Sequence, residues 1–331
     1  MNISIKEIAR RLKISPSTVS RALQNHPRIG LRTRERVQEL AEELNYIPSA
    51  TARNLRSGKT FMLAVVLPEI QEYFFSNAVN GIEELAFEKG YTVALYQSHD
   101  QYDREKQVLK VLSRHVVDGV ILSVAKESHQ FDHVEKFLKH QIPLVLFDRI
   151  PPGIDTHHVS CDIETGAYEA TRLLLEKGFR RIALLNGPSS LVASEERYRG
   201  YERALAEVHL HIDNDLIQQT DLSTEQNRSQ MSALLTLSQT PDSVLAFNDY
   251  VALDAMAICR LKGLRINQDI SFVSFANLPI NTYLEYPPLA SVEQHPYQMG
   301  YTAAQILLRS ITEKSTPTER VILQPELITL S

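Results

Sequence analysis

Residues 14–23 read ISPSTVSRAL, and this stretch decides how the N-terminal part of the chain folds. Ser15 is a favourable helix N-cap, and Pro16 suits the first helical position because no amide hydrogen is needed there. The spacing of Val19, Ala22 and Leu23 gives the predicted helix one apolar face. The side chains predicted to remain outside are all polar: Ser17, Thr18, Ser20 and Arg21.

A second helix is predicted immediately before this stretch. Ser4 and Glu7 have the spacing of a capping box, and an apolar face follows at helical spacing. The chain breaks at Lys13-Ile14, so that two short helices meet at a tight turn, which is the arrangement of a helix-turn-helix. A third helix is predicted over residues 32–44.

Charge separates this head from the rest of the chain. Residues 1–60 hold 12 Lys and Arg against 5 Asp and Glu, whereas the remaining residues hold 23 against 35. A basic head on an acidic body indicates that the head binds a polyanion. A solvated basic helix surface would give the same balance, so the local pattern must decide.

The segment after the head has the sequence pattern of a linker. Pro48 ends one element, Ser49 can cap a two-turn helix over residues 49–56, and Ser57-Gly58 is a flexible connection. So short a helix is not stable alone in water, and we expect it only when something packs on it.

From Phe61 onward, short apolar runs alternate with helical patterns. Strands are predicted at residues 63–67, 92–96, 119–124, 144–147, 158–161, 182–185, 244–247 and 272–275. Helices are predicted at residues 78–89, 104–114, 131–140, 164–177, 195–208, 225–237, 251–262 and 297–311. Three of these helices end in Lys-Gly, a typical stop signal. The alternation predicts parallel sheets covered on both faces and arranged as two similar lobes.

Polar residues follow several of these strands: Gln97-Ser98, Asp148-Arg149, Asp162, Asn186, Asn248-Asp249 and Asn277. In open parallel sheets, ligands bind beyond the carboxyl ends of the strands. The sequence therefore predicts a polar cleft between the two lobes.

The sequence gives no support to membrane, secreted or metal-dependent classes of protein. Cys161 and Cys259 are far apart, which favours a reducing compartment. The first residues lack the apolar core of a signal peptide, and every apolar run is too short to cross a membrane, so we expect a soluble, cytoplasmic protein. Phosphate-loop, nucleophile and zinc-protease motifs are missing, and His157-His158 would point to opposite faces of a strand. We therefore predict no enzyme activity, no cofactor and no metal site.

The sequence resembles the lactose/galactose-repressor (LacI–GalR) family over essentially its whole length. In the head, the matching segments are IKEIA at 5–9, ISPSTVSRAL at 14–23, TRERV at 33–37 and ELNYIP at 43–48. In the body they are EYFF at 72–75, VDG at 117–119, FDR at 147–149, ND at 248–249 and PPL at 287–289. The head motif is highly specific because spacing and residue types agree throughout it.

The resemblance implies an N-terminal all-α helix-turn-helix head and an α/β sensor of two doubly wound parallel-sheet lobes, like a periplasmic binding protein. The head is expected at 1–47, a hinge helix and linker at 48–59, and the effector-binding and dimerisation domain at 60–331. The first lobe would comprise about 60–160 and 292–320, and the second about 161–291 and 321–331.

The implied function is transcription regulation, by default repression. A homodimer would bind palindromic double-stranded operator DNA under allosteric control by a small polar metabolite, such as a sugar or sugar derivative. DNA contacts are implied for Ser15, Pro16, Ser17, Thr18, Ser20, Arg21, Tyr46, Ala52, Asn54 and Leu55. Arg21 would contact a base or phosphate rather than only solvent, and Leu55 would enter the minor groove as a wedge rather than pack on the sensor.

Effector contacts are implied for residues of both lobes: Phe74, Phe75, Asp148, Arg149, Asp162, Ala193, Arg197, Asn248, Asp249 and Asn277. A structural role is the alternative for several of them. Asp249 and Asn248 could cap a helix or hold a turn, and one of the two phenylalanines could belong to the core.

Three features depart from the family pattern. Gly30 stands where relatives usually have a Ser cap, and Ala276-Asn277 follows a strand after which many relatives place a sugar-binding Asp. The leucine-heptad tail that makes some members tetramers is lacking, so a dimer is expected.

Two other functions remain to be compared with this one. The same lobes could form a solute-binding protein, but such a protein would need a signal for export, and a basic N-terminal head does not contribute to solute binding. They could also form an α/β enzyme such as a sugar kinase, which would need a phosphate loop or nucleophile motif.

Overall fold

The computed structural model describes residues 4–46, 59–114, 116–313 and 317–330, and the chain divides into the units Met1–Thr60 and Phe61–Ser331. The predicted hinge and linker at 48–59 lies almost wholly outside the described residues. The hinge residues Ala52, Asn54 and Leu55, for which DNA contacts were predicted, belong to that part of the chain.

The head consists of three helices: α1 (Ile5–Leu12), α2 (Pro16–Leu23) and α3 (Leu31–Glu43). Ser15 caps α2 as predicted, because its Oγ accepts a hydrogen bond from the backbone amide of Thr18 at 3.1 Å. Lys13, with a left-handed φ of 55°, makes the tight turn between α1 and α2. Side chains of all three helices form one small core: Ile8, Ala9, Val19, Ala22, Val37 and Ala41.

The predicted capping box at the start of α1 is wrong. The Ser4 side chain makes no capping hydrogen bond within the described part of the chain. The Glu7 carboxylate instead accepts hydrogen bonds from Arg10 Nη2 at 2.6 Å and Arg11 Nε at 2.9 Å. Charge-assisted hydrogen bonds from two guanidinium groups are stronger than a bond from one neutral amide. The Glu7 carboxylate therefore pairs with the two arginines rather than with the Ser4 amide.

Two six-stranded sheets form the sensor, one in each lobe. The first contains β1 (Met62–Leu67), β2 (Thr92–Gln97), β3 (Gly119–Leu122), β4 (Leu144–Phe147), β5 (His157–Cys161) and β11 (Arg320–Leu323), in the order β11-β5-β4-β3-β1-β2. The second contains β6 (Ile182–Asn186), β7 (Ile217–Gln219), β8 (Ser243–Ala246), β9 (Ser271–Phe275), β10 (Ala290–Glu293) and β12 (Glu326–Thr329), in the order β12-β10-β9-β8-β6-β7. The strands pair in parallel except for β12, which runs antiparallel to β10.

Helices cover the faces of both sheets. The first lobe carries α4 (Tyr73–Glu88), α5 (Tyr102–Leu112), α6 (Asp132–Leu138) and α11 (Pro296–Thr312). The second carries α7 (Ile163–Glu176), α8 (Val192–Glu207), α9 (Thr224–Leu234) and α10 (Asp249–Leu261). Along β1, Leu63 and Val65 pack into one apolar cluster and Ala64 and Val66 into another, because successive strand residues point to opposite faces. The prediction of two α/β lobes is therefore confirmed.

The predicted lobe boundaries need correction at two crossings. The chain passes from the first lobe to the second after Cys161, one residue beyond the predicted boundary, but it returns after Glu293 and leaves again after Leu323. The crossings predicted at 291/292 and 320/321 fall inside β10 and β11. Neither strand was predicted, because four residues are too few to show an alternating pattern.

Glycines shape the helices at two kinds of position. Gly90, Gly178 and Gly263 have φ of 75°, 96° and 82°, which confirms the three predicted Lys-Gly helix stops. Gly200 lets α8 lie against α7, because a Cβ there would stand 2.2 Å from the carbonyl oxygen of Glu164. Within the described residues, no helix combines the length and apolar character needed to span a membrane.

Candidate functional sites

The exposed face of α2 is the candidate surface of the head. Ser15, Pro16, Ser17 and Arg21 are exposed, and Thr18 is half-buried. The hydroxyl of Ser15 lies 2.7 Å from that of Ser17 and 2.8 Å from that of Thr18, so three hydroxyls cluster at the N-terminus of the helix. Hydroxyl groups at the positive end of a helix dipole are suited to phosphate contacts.

Arg21 lies on the side of α2 that faces away from the head core. At 3.6 residues per turn it lies about 200° around the helix from Val19, which is fully buried. Its guanidinium is therefore presented to solvent, with the fork of donors that guanine and phosphate accept.

Two residues predicted to contact DNA are partly or fully covered in the structure of the head. Ser20 is 8% exposed and turns towards the head, because it lies on the same side of α2 as Leu23 rather than beside Arg21. Tyr46 is half-buried and packs against the head core. The prediction that Ser20 faces outwards is therefore wrong.

The sensor has a cavity of about 370 Å³ lined by both lobes. Seven of the predicted effector residues line it: Phe74, Phe75, Asp148, Arg149, Ala193, Arg197 and Asn248. The cavity lies beyond the carboxyl ends of β4, β5 and β8, where parallel sheets bind ligands. Phe74 and Phe75 are also part of the core, at 8% and 1% exposed, so they form a fixed apolar wall.

Asp162 and Asn277 do not line the cavity, and their side chains have structural partners instead. Asp162 caps α7, with its carboxylate accepting from Thr165 N at 3.0 Å and Thr165 Oγ1 at 2.8 Å. Asn277 Nδ2 donates to Glu293 Oε2 at 3.0 Å. Both were predicted because they follow strands, but local hydrogen bonds turn them away from the cavity.

Asp249 is also absent from the cavity lining and is fully buried below it. Its carboxylate accepts bonds from Leu278 N at 2.6 Å, Asn281 Nδ2 at 2.8 Å, Ser291 Oγ at 2.9 Å and Ser274 Oγ. Burial raises its pKa, against the effect of these donors. Asp249 thus ties together the segments around β9 and β10. Its neighbour Asn248 lines the cavity and caps α10 at 3.0 Å from Val251 N.

Arg197, on α8, is the most buried cation of the cavity at 3% exposed. Its guanidinium carbon lies 4.0 Å from the ring centre of Phe247 and 4.2 Å from that of Phe275. Nη1 donates to the Ala193 carbonyl at 3.0 Å, whereas Nε has no hydrogen-bond partner among the described residues. Burial lowers its pKa to about 10, so the group stays charged at neutral pH. The two rings hold a charged fork with spare donors beside the cavity.

Arg149, in the first lobe, is already neutralised. Its Nη1 forms an ion pair with Asp100 and donates to the Val124 carbonyl at 3.3 Å, and its guanidinium carbon lies 5.5 Å from the Phe75 ring centre. Burial works against the charged form, but Asp100, Asp148 and Glu72 outweigh it, so the pKa of Arg149 is raised.

Three carboxyl groups line the cavity. Burial raises the pKa of Asp148 from 3.8 to about 6, that of Glu196 from 4.5 to about 7, and that of Glu72 upward as well. Sequence reasoning missed Glu72, Glu196, and the lining residues His158 and Phe247. Glu196 could have been found, since Glu196 and Arg197 stand three and four residues after Ala193 and both neighbour it on the helix surface.

Glu196→Gln is expected to stabilise the sensor at alkaline pH only. Because the folded-state pKa of Glu196 is raised, its contribution to stability is present below its ordinary pKa of 4.5 and lost as the pH rises through about 7. Gln never ionises, so the variant should gain up to about 3 kcal/mol in free energy of unfolding at about pH 8 and almost nothing at about pH 4.5. Chemical denaturation at both pH values measures this. Glu195→Gln, at the exposed neighbouring position, is the control, and an equal gain in both variants would contradict the assignment.

Models of two protein families match the chain. The model described as "Bacterial regulatory proteins, lacI family" matches residues 4–49. The model described as "Periplasmic binding proteins and sugar binding domain of LacI family" matches residues 60–330. The two matches correspond to the head and the two-lobed sensor.

Individual relatives are similar over nearly the full chain. The HTH-type transcriptional repressor PurR of Aliivibrio fischeri is 30% identical over 99% of this chain and 97% of its own. The repressor of the same name from Vibrio cholerae serotype O1 is 29% identical over 98% and 96%. Among solved structures, the transcriptional regulator CelR–cellobiose complex has a TM-score of 0.75 and 28% identity, covering 99% of this chain and 98% of that one. The lac repressor dimer bound to operator and the anti-inducer ONPF has a TM-score of 0.87 at 23% identity, covering 99% and 98%, which shows a shared fold.

Proposed function

Because the chain belongs to the LacI family of bacterial regulatory proteins, which are DNA-binding repressors with a sensor domain, we propose that it represses transcription as a homodimer. Each head reads one half of a palindromic operator, and a small polar metabolite, a sugar or sugar derivative, controls binding from the inter-lobe cavity. As a protein that acts on chromosomal DNA, it works in the cytoplasm.

Operator reading is assigned to α2. The observation that carries this assignment is the exposed Arg21, set beside a cluster of hydroxyls at the N-terminus of a capped helix on a basic head. The match of residues 4–49 to a regulatory-protein model favours this function over a solute-binding protein, and the repressor relatives favour it over an enzyme.

A homodimer is supported by apolar side chains left exposed on the sensor. In the second lobe, Leu261 is 79% and Tyr283 is 83% exposed, and in the first lobe Leu95 on the edge strand β2 is 45% exposed. These side chains leave apolar area on each lobe that a second chain can cover. A two-fold dimer also fits a palindromic site, whose half-sites lie about one DNA turn apart.

A sugar or related metabolite is supported by the shape and chemistry of the cavity. Its volume of about 370 Å³ suits a small ligand, and it offers carboxylates, guanidiniums and an amide from both lobes beside phenylalanine rings. The similar CelR structure is a cellobiose complex. Contact between the effector and Phe74, Phe75, Asp148, Arg149, Ala193, Arg197 and Asn248 is part of this proposal.

Control follows from closure of the two lobes around the effector. Closure rotates one lobe against its dimer mate and changes the spacing of the two heads, and the fixed half-site separation converts this change into a change of affinity. The coupling is reciprocal, so that operator DNA must alter effector affinity by the same factor.

Arg21→Ala is expected to weaken operator binding by about 1–3 kcal/mol, because one good base contact contributes that much. The fold and effector binding should be unchanged, since Arg21 lies outside the head core. Mobility shifts with a selected palindrome and with unrelated DNA measure the affinity for the operator and the discrimination against other sequences. A separate measurement of the mass of the complex should show two chains per palindromic site.

The control for this experiment is Arg36→Ala, which removes the same charge from an exposed position of α3. It should weaken specific and non-specific binding alike, as loss of a phosphate contact does. Wild-type affinity and discrimination in the Arg21 variant would remove α2 from its role as the reading helix.

A further inference from the structure

The lining of the effector cavity contains more acidic than basic groups. Glu72, Asp148 and Glu196 supply three carboxyls, whereas Arg149 and Arg197 supply two guanidiniums. Just behind the lining, Asp100 pairs with Arg149, and Lys126 Nζ lies 3.9 Å from the same carboxylate. Because this adds one acid and one base, the difference stays the same. His158 also lines the cavity, but burial lowers its pKa, so it is neutral at neutral pH. With the carboxyls and guanidiniums charged, the cavity would therefore hold one uncompensated negative charge among apolar walls, which is costly in a desolvated site.

Neither guanidinium is free to neutralise the excess. Arg149 is bound to Asp100, and its Nε lies 3.9 Å from the carboxylate of Asp148, so it serves these two acids rather than the glutamates. Arg197 is clamped between Phe247 and Phe275, and its Nη1 is bound to Ala193 O. The protein's own cations are fixed in place, so compensation has to come from a proton or from a ligand.

Glu72 and Glu196 are the carboxyls of the cavity whose side chains have no hydrogen-bond donor among the described residues. Glu72 directly precedes α4 without capping it, and Glu196 lies on α8 in the other lobe. Neither carboxylate accepts a hydrogen bond from any residue in the described ranges. Burial raises the pKa of both groups, and the charges of Arg149 near Glu72 and of Arg197 and Arg199 near Glu196 offset this effect only in part.

We propose that the effector carries a basic nitrogen, as an amino-substituted sugar does, and that Glu72 and Glu196 are the residues that select it. The inference rests on the proposed function, because it names the ligand class of the same cavity. The ammonium group supplies the missing positive charge, and the hydroxyls bind the spare donors of Arg197 and the amide of Asn248. A phosphate or carboxylate on the ligand would add to the negative excess, so anionic sugars are rejected.

The position of the two glutamates also links recognition to closure. One belongs to each lobe, so a cationic ligand attracts both walls at once and favours the closed arrangement. Neutral sugars make hydrogen bonds to the same groups but leave the charge excess in place.

The experiment compares matched probes on the full-length protein. D-glucosamine, D-galactosamine and D-mannosamine are each titrated beside the neutral parent sugar and beside D-glucuronate and D-glucose 6-phosphate, with thermal shift and calorimetry as readouts. At least one amino sugar should bind about tenfold or more tightly than its neutral parent, as a charge-assisted bond predicts, and the anions should not bind. Glu72→Gln and Glu196→Gln should each abolish the preference for the amino sugar over its neutral parent, and Glu195→Gln should retain it.

The proposal is overturned if the neutral parents bind as tightly as the amines, if an anion binds best, or if no amino sugar changes the melting temperature. It is also overturned if both Gln variants keep the preference. Operator binding by the same preparation, measured by mobility shift with and without each sugar, decides the proposed function separately, because binding in either condition supports operator reading.

Discussion

Asp249→Ala is expected to lower the free energy of unfolding of the sensor by about 3–5 kcal/mol, the range found when a buried charged partner is removed from its hydrogen-bonding network. The fully buried carboxylate receives four donors, from Ser274, Leu278, Asn281 and Ser291. Alanine leaves all four without an acceptor, and the donors are too deeply placed for solvent to replace it. Since the chain contains no Trp, denaturation is followed by circular dichroism.

The control is Asp103→Ala, which makes the same chemical change at an exposed position in the first turn of α5. It should change stability by about 0.5 kcal/mol or less. A variant of Asp249 that unfolds like wild type but no longer binds effector would restore the role predicted from sequence, in which this carboxylate touches the ligand.

Asp249 illustrates what strand-end reasoning can and cannot predict. The rule that ligands bind beyond the carboxyl ends of parallel strands correctly brought Asn248 and Asp148 to the cavity. It could not separate Asn248 from Asp249, because the direction of each side chain depends on donors that arrive from residues 274–291, far away in the sequence. The prediction for Asp162 was wrong for a more local reason, because its carboxylate accepts a hydrogen bond from the amide of Thr165 in the first turn of α7.

The head was predictable because its signals are local. A capped helix with Pro at its first position and an apolar face fixes α2 within ten residues, and the structure confirms it. The strands β7, β10, β11 and β12 were not predicted, because three or four residues show no periodicity and each strand exists only by pairing with a distant neighbour. The lobe crossings at Glu293 and Leu323 were displaced for the same reason.

The charge of the cavity was the least visible feature in the sequence. Glu196 follows an acidic residue on an exposed helix, where a solvated side chain is the ordinary outcome. The packing of the second lobe, which holds Arg197 between two rings, shows that α8 carries both an acid and a base into the cavity.

Arg197→Ala is expected to weaken effector binding about 100-fold or more, which is close to 3 kcal/mol. The two phenylalanine rings fix the guanidinium before the ligand arrives, so binding costs little side-chain entropy, and Nε has no partner in the described part of the chain. Arg197→Lys should lose almost as much, because an ammonium group can neither stack between the rings nor present a planar fork. Calorimetry with the effector identified by thermal shift measures the loss.

Arg199→Ala provides the control, because Arg199 lies two residues further along the same helix, is exposed, and bonds only to Glu195 and Glu164 among the described residues. That variant should bind the effector like wild type. In the Arg197 variants, mobility shifts should show operator binding that no longer responds to the effector, since coupling requires the ligand to bind one arrangement of the lobes better than the other. If effector affinity is unchanged while stability falls, Arg197 is a structural cation between two rings, and recognition must then depend on the carboxylates of the cavity.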